Sequence, residues 1–365
     1  GLGDVYKRQG LRFGSNLPML GRLSDVDSSL DPLGLHNFLS FNSAVPAPFT
    51  LLKGVKKLVP GTIAYFNHLG HRENKVFRRV NFTQNPATFS LNKDEQKAFV
   101  KVKLSQAIDK IPARRNAVLF RSGPEDNLLH DFINRSKDKS AAFIDIRFSG
   151  TGCKEGDYQL KRRDVLESIP AAIAAMSEPA VSSEAMYFFC AMPMIGDDFA
   201  FVNPLGFREC LAVHPWYPPL ALSNNPARDY ARMTFGRTHG ELQNSLAPAL
   251  RSEDFSLSFL SGHFELGGAQ HNVERAIRFD IGVNLIDGPM SWMTSYARAR
   301  GVDIHAPFLA PDFVEGVMSL PVPVKQEIVD DLLVSHSPQK SSHQTQLSEI
   351  PPLMTFLNGA LDELF

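Results

Sequence analysis

Few side chains in this sequence stand where chemistry would be expected of them. Cys153, Cys190 and Cys210 are the three cysteines. An odd count with no close pair argues against a disulfide framework and against a cysteine zinc site. His68 and His71 sit at the tip of a turn with no acidic neighbour, which reads as surface rather than as metal ligands. His336 and His343 lie in a Ser- and Gln-rich stretch, SHSPQKSSHQTQ, that reads as a loop. Asn81-Phe82-Thr83 is a glycosylation triplet without a secretory context. The sequence has no nucleophile elbow, no Walker-type phosphate loop and no histidine pair at metal-ligand spacing. Chemistry is therefore expected at polar loops that follow strands, and the elements must say where those loops are.

The chain has 365 residues, 43% hydrophobic and 21% charged, with a net charge of −1. That balance belongs to a folded protein, and the length suggests about two domains. With no basic excess, neither nucleic acid nor an anionic membrane is an expected partner. The apolar runs fall short of the roughly 18 residues needed to cross a bilayer, and no signal segment opens the chain. The expected location is the cytoplasm. Gly1 to Gln9 has no periodicity and reads as a non-native leader, so the segment after it is expected to be N-terminally truncated.

Residues 10–80 read as β-rich with one helix, which starts at an Asp31 cap and Pro32 and turns Leu33, Leu35, Phe38 and Leu39 inward. Thr62 to Asn67 and Lys75 to Val80 form an expected hairpin. Residues 81–92 read as a linker and 93–365 as a second domain. Val100, Leu104, Ala107, Ile108 and Ile111 make one apolar stripe, which predicts a helix over 93–111. Strands are expected at Asn116 to Phe120, Ala141 to Phe148 and Phe199 to Val202. Helices are expected from about Leu128, over Tyr158 to Met176 and over Ser183 to Met192, with a mostly helical remainder. Alternating strands and helices imply a parallel sheet with ligands at the C-terminal strand ends.

The segment FLSFNSAVPAPFTLLKGVKKLVPGT, Phe38 to Thr62, resembles the asparagine synthetase family, glutamine-hydrolysing. That family ends its glutaminase domain in a Tyr-Leu-Ser-Phe run followed by Thr-Leu-Phe-X-Gly-Ile-X-Lys-Leu-X-Pro-Gly. Thr50, Gly54, Val55, Lys57, Leu58, Pro60 and Gly61 match in register. The resemblance continues at weaker identity to about Pro321. It implies an α/β chain: a β-rich remnant of an Ntn glutaminase domain, then a parallel-sheet synthetase domain of the PP-loop, adenine nucleotide alpha hydrolase-like type. The family's glutamine amidotransferase activity uses an N-terminal Cys, and no Cys precedes Cys153 here.

The resemblance also implies a site. The family binds ATP and Mg, forms an acyl-adenylate on a small carboxylic acid and amidates it. Its Ser-Gly-Gly-X-Asp-Ser phosphate loop corresponds to Ser122, Gly123, Pro124, Glu125, Asp126 and Asn127. Pro124 replaces a Gly and has no N–H to offer an anion. The family's second acidic loop corresponds to Asn203 to Glu209. Gly206 and Glu209 are kept, Leu205 stands in place of the catalytic acid, and Arg208 stands in place of the Mg-binding Asp. Glu178 corresponds to a substrate-side Glu and Lys325 falls near a catalytic Lys. The implied cofactor-binding set is thus Ser122, Gly123, Asp126, Asn127, Gly206, Arg208 and Glu209, with Asp126 also the candidate Mg ligand.

Plain readings stand beside these. Asp126 serves equally as an N-cap before Leu128, Glu178 as a surface or capping residue and Lys325 as a solvated lysine. Losing one preorganised donor typically costs ~3 kcal/mol of transition-state stabilisation. A donor, an acid and a metal ligand are altered together, although such losses do not simply add. The leading expectation is a pseudoenzyme with a binding or accessory role, as a homodimer or beside a partner synthetase. The alternative is an active amide ligase in which Arg208 clamps phosphate.

Overall fold

The computed structural model describes residues 11–144, 147–148, 159–160 and 199–334, apart from positions 16, 43, 68–70, 83–87, 89, 113–115, 121–123, 137–138 and 300. Two helices come first, α1 at Leu17–Gly21 and α2 at Pro32–Ser40. Asp31 caps α2 as expected, its carboxylate accepting from the Leu33 N–H at 3.0 Å. The face that α2 buries differs from the expected one. Phe38 is buried, but so are Gly34, His36, Asn37 and Ser40, whereas Leu33, Leu35 and Leu39 are only half-buried. Gly34 lets the helix press on the Thr50 backbone, where an added Cβ would lie 2.0 Å from the carbonyl oxygen.

The hairpin is present as β1, Thr62–Phe66, antiparallel to β2, Arg72–Val76. The return strand starts earlier than the sequence suggested. Beyond this ribbon the described part of residues 11–80 has one isolated bridge, Leu30 to Leu52, so the region is not β-rich. Its Pro- and Lys-rich stretches instead send Val45, Leu51 and Val55 inward from irregular backbone.

Helix α3, Lys93–Asp109, carries the expected stripe, with Val100, Leu104, Ala107 and Ile108 buried. Asn92 and Glu95 form a capping box at its start. Strand β3 is Asn116–Phe120, and α4 follows at Pro124–Arg135. The helix begins four residues before Leu128 because Pro124 is preset for a first helical turn. Strand β4 covers only Ala141–Ile144; β5, Arg147–Phe148, pairs in parallel with β6, Gln159–Leu160. Strand β6 overturns the helix expected from Tyr158 at its first residues. The remainder of that stretch, and Ser183 to Met192, lie outside the described residues.

Strand β7, Phe199–Val202, matches its expected bounds and leads to a short helix α5, Phe207–Cys210. Then come α6, Tyr217–Ala221, α7, Pro226–Thr234, α8, His239–Ser245, and α9, Phe255–Glu265. Helix α10, Asn272–Phe279, runs into a π turn at Asp280–Asn284. After α11, Pro289–Ala299, strand β8 is Asp303–His305, and α12, Pro311–Met318, and α13, Val322–Val334, close the described chain.

Four strands form one parallel sheet in the order β4-β3-β7-β8. The chain moves outward from β3 to β4, then returns to the other side of β3 to lay down β7. That reversal is a topological switch point, where adjacent connections diverge and leave a crevice at the C-terminal strand ends. The main core spans helices on both sides and includes Leu104, Leu119, Leu128, Val202, Phe207, Phe308 and Phe313. Phe41, from the N-terminal region, joins it with ring centroids 4.9 Å from Phe235 and 5.6 Å from Phe279. The fold is mixed α/β, mostly helical, with a small parallel sheet and a small antiparallel one. Among the described residues no helix is long and apolar enough to cross a membrane.

Candidate functional site

The crevice at the ends of β3 and β7 is framed by two helix starts. On one side α4 opens with Pro124 and places Glu125 and Asp126 in its first turn, both buried. On the other, Asn203 ends β7 by donating its backbone and side-chain N–H groups to the His305 carbonyl, at 3.0 and 3.2 Å. Its amide oxygen then accepts from Leu205 N–H at 3.1 Å, closing a tight turn. Gly206 completes the turn with φ +92, a conformation that disfavours any side chain. A Cβ there would also lie 2.5 Å from Leu309 Cδ2. These constraints launch α5 toward α4. Arg208 Nη2 donates to Glu125 Oε1 at 3.1 Å, with the Arg208 side chain 54% exposed and that of Glu125 11%.

Across the ends of β3 and β7 the structure brings Arg208 of α5 to Glu125 of α4; Asp126 and half-buried Asn127 follow Glu125 on α4, Gly206 precedes α5, and Glu209 pairs elsewhere. Ser122, Gly123 and Glu178 lie outside the described residues. Asp126 is not a helix N-cap: it lies inside the first turn of α4 and is 1% exposed. Lys325 is not solvated. Its side chain is wholly buried on α13, with Nζ 3.6 Å from Met318 Sδ and 5.4 Å from the centroid of the Phe82 ring. Burial pushes its ammonium down to about 8.

Glu209 faces away from the crevice. It holds His214 Nε2 at 2.7 Å, and the His214 ring stacks on Trp216 at 3.9 Å between centroids. Beneath this pair lies a second buried carboxylate, Asp280. Tyr217 donates to its Oδ2 at 2.7 Å, and both Tyr230 and Asn284 donate to its Oδ1. The π turn makes this possible by bringing Asn284 back over Asp280, at 2.9 Å. Burial pushes Asp280 up to about 6, against the pull of the Tyr230 and Tyr217 hydroxyls, and Glu209 raises it further. Burial and the adjacent Asp280 hold both tyrosines well above the usual phenol range. Cys210 is fully buried, its Sγ 3.3 Å from the Phe308 carbonyl, and burial raises its thiol out of nucleophilic use.

No family model matches the chain, and no curated protein sequence matches it.

The described residues beside the Arg208–Glu125 pair do not present a ligand set for the Mg²⁺ that the resemblance implies, and Ser122 and Gly123 of the implied phosphate loop lie outside the described residues. A magnesium ion needs hard oxygen ligands. The crevice presents a guanidinium that is always charged, and that group already occupies Glu125. Glu209 is committed to His214, and Asp126 is buried inside a helix turn. Pro124 supplies no N–H at the start of α4. The arrangement can hold an anion through Arg208, but its described carboxylates do not converge on a cation.

A second polar cluster lay beyond sequence reasoning. His36, on α2, is buried and points its Nε2 at Nδ1 of His239, on α8, 3.0 Å away. Asp254, the N-cap of α9, lies beside both. Burial, reinforced by the neighbouring His239, pushes the His36 imidazole below its usual range, against the pull of Asp254. The histidines are 203 positions apart, so no local spacing could have paired them.

Proposed function

We propose that this is an asparagine synthetase-like protein in which ATP-dependent amidation has been lost, leaving a binding or accessory role. In this reading the β3–β7 crevice descends from the PP-loop nucleotide site, and the N-terminal segment from the end of an Ntn glutaminase domain. The supporting observation is the Arg208–Glu125 pair across the crevice. A cation where the family pattern has a metal-binding carboxylate removes one Mg²⁺ ligand and offsets the attraction that Glu125 would exert on the ion. The burial of Lys325 in an apolar pocket points the same way, because a catalytic group must touch the reacting atoms.

A second reading rests on the exposure of Arg208, whose side chain is about half open to solvent. It could leave Glu125 and clamp a phosphate bidentately. One titration separates the readings. ATP is added with and without Mg²⁺ while thermal stability is followed, and pyrophosphate is assayed after adding aspartate. The proposal expects no Mg²⁺-dependent stabilisation and no pyrophosphate. A Mg²⁺-dependent rise with pyrophosphate release overturns it. A metal-independent rise that Arg208→Ala abolishes supports the phosphate clamp instead.

A further inference from the structure

We propose that His36, His239 and Asp254 form a site for one divalent transition-metal ion of the zinc type, tying α2 to the helical region. One ligand atom from each residue lies within 4.8 Å of those of the other two. Two imidazoles and a carboxylate form the ligand set of many catalytic or exchangeable zinc sites, with a fourth position left for water.

The surroundings of His36 orient it for this role. Its Nδ1 is 2.9 Å from Ser256 Oγ, and Ser256 donates its own hydrogen to Asn37 Oδ1 at 2.9 Å. With the hydroxyl hydrogen spent there, Nδ1 must carry the imidazole proton, so the Nε2 lone pair faces His239. This is the outer-sphere hydrogen bond that fixes tautomer and ring orientation in metal-ligating histidines. Ser256 and Asn37 are both fully buried, so the relay does not swing. Two nitrogens bound at about 2.1 Å in a tetrahedral site stand about 3.4 Å apart. The observed 3.0 Å requires an opening of a few tenths of an ångström. Asp254 accepts from Leu257 N–H through Oδ1 and keeps Oδ2 for an ion. Asp254 is exposed and His239 half-buried, which gives the ion a way in.

Cobalt(II) is the probe, added to the full chain. Tetrahedral cobalt absorbs in the visible, which reports ligand geometry, and zinc is then used to displace it. The expected result is visible absorption saturating at one equivalent, bleached by zinc. His239→Ala and Asp254→Asn should each weaken cobalt binding by at least about tenfold. Asp254→Asn keeps an N-cap oxygen and His239 begins a surface helix, so either variant can decide the question if the other folds poorly. No visible band in the wild-type chain, or binding unchanged in both variants, overturns the proposal. The readout does not depend on any activity of the β3–β7 crevice.

Discussion

The Arg208 guanidinium reaches Glu125 Oε1 at 3.1 Å, and this pair joins the helices that leave the neighbouring strands β3 and β7. The two residues are 83 positions apart. Their meeting closes the crevice with a cation on one side and a mostly buried anion on the other. Because Arg208 is half exposed, screening keeps the pair modest in energy.

A double-mutant cycle with Arg208→Ala and Glu125→Gln should give a coupling of about 0.5–1 kcal/mol in urea unfolding, shrinking at high salt. Arg208→Ala alone should cost about 1 kcal/mol, since it leaves the Glu125 carboxylate short of its cation. Additive single mutants would show that the two groups do not interact in solution.

Gly206→Ala should destabilise the protein by about 2 kcal/mol or more. The backbone there has φ +92, and the new methyl would press on Leu309. Thermal melting of Gly206→Ala measures it. A change under 0.5 kcal/mol would mean that the Asn203–Gly206 turn relaxes freely.

Lys325 carries its charge at a cost in the folded state. Its folded value of about 8 lies below its ordinary value of 10.5. Between these limits the unfolded chain binds a proton that the folded chain lacks, so this group makes stability rise with pH from about 8 to 10.5. The full rise is on the order of 3 kcal/mol. Lys325→Met should remove that slope and be the more stable protein at pH 7, by roughly 1–3 kcal/mol. Chemical denaturation of both proteins at pH 7 and pH 10 tests it, and parallel pH curves would refute the buried ammonium.

Asp280 has the opposite sign. Its folded value of about 6 exceeds the ordinary 3.8, so between those limits the folded state binds the extra proton. Stability attributable to this group therefore falls as pH rises from about 4 to 6. The groups facing it are Tyr217, Tyr230, Asn284, Glu209 and His214. Asp280→Asn should flatten that slope and change stability at pH 7 by about 1 kcal/mol or less. Asp280→Ala should cost about 3 kcal/mol, because it strands two tyrosine hydroxyls and an amide. Urea midpoints at pH 4.5 and 7 distinguish the variants, and an unchanged slope in Asp280→Asn would assign the titration to another group.

Residues 93–120 and 199–202 were the more legible. Strands β3 and β7 fall where their apolar runs end, and α3 follows its stripe, because local hydrophobic period and caps act within a few residues. The N-terminal region misled for a physical reason. Helix α2 docks through polar His36, Asn37 and Ser40, the first two meeting Ser256 and His36 also His239, and no periodicity rule predicts an inward polar face. Lys325 was misplaced for a similar reason: a lysine in a sequence reads as solvated until its pocket is seen.

The sequence alone determined a mixed α/β chain, the apolar runs of β3 and β7, and the polar turn that follows β7. These depend on residue type and short-range spacing, which are local. The tertiary structure decided which charges meet: Arg208 with Glu125, Glu209 with His214, Asp280 with two tyrosines, and His36 with His239. Each pairing joins residues from different elements, and its energy depends on distance and burial that only the folded chain sets.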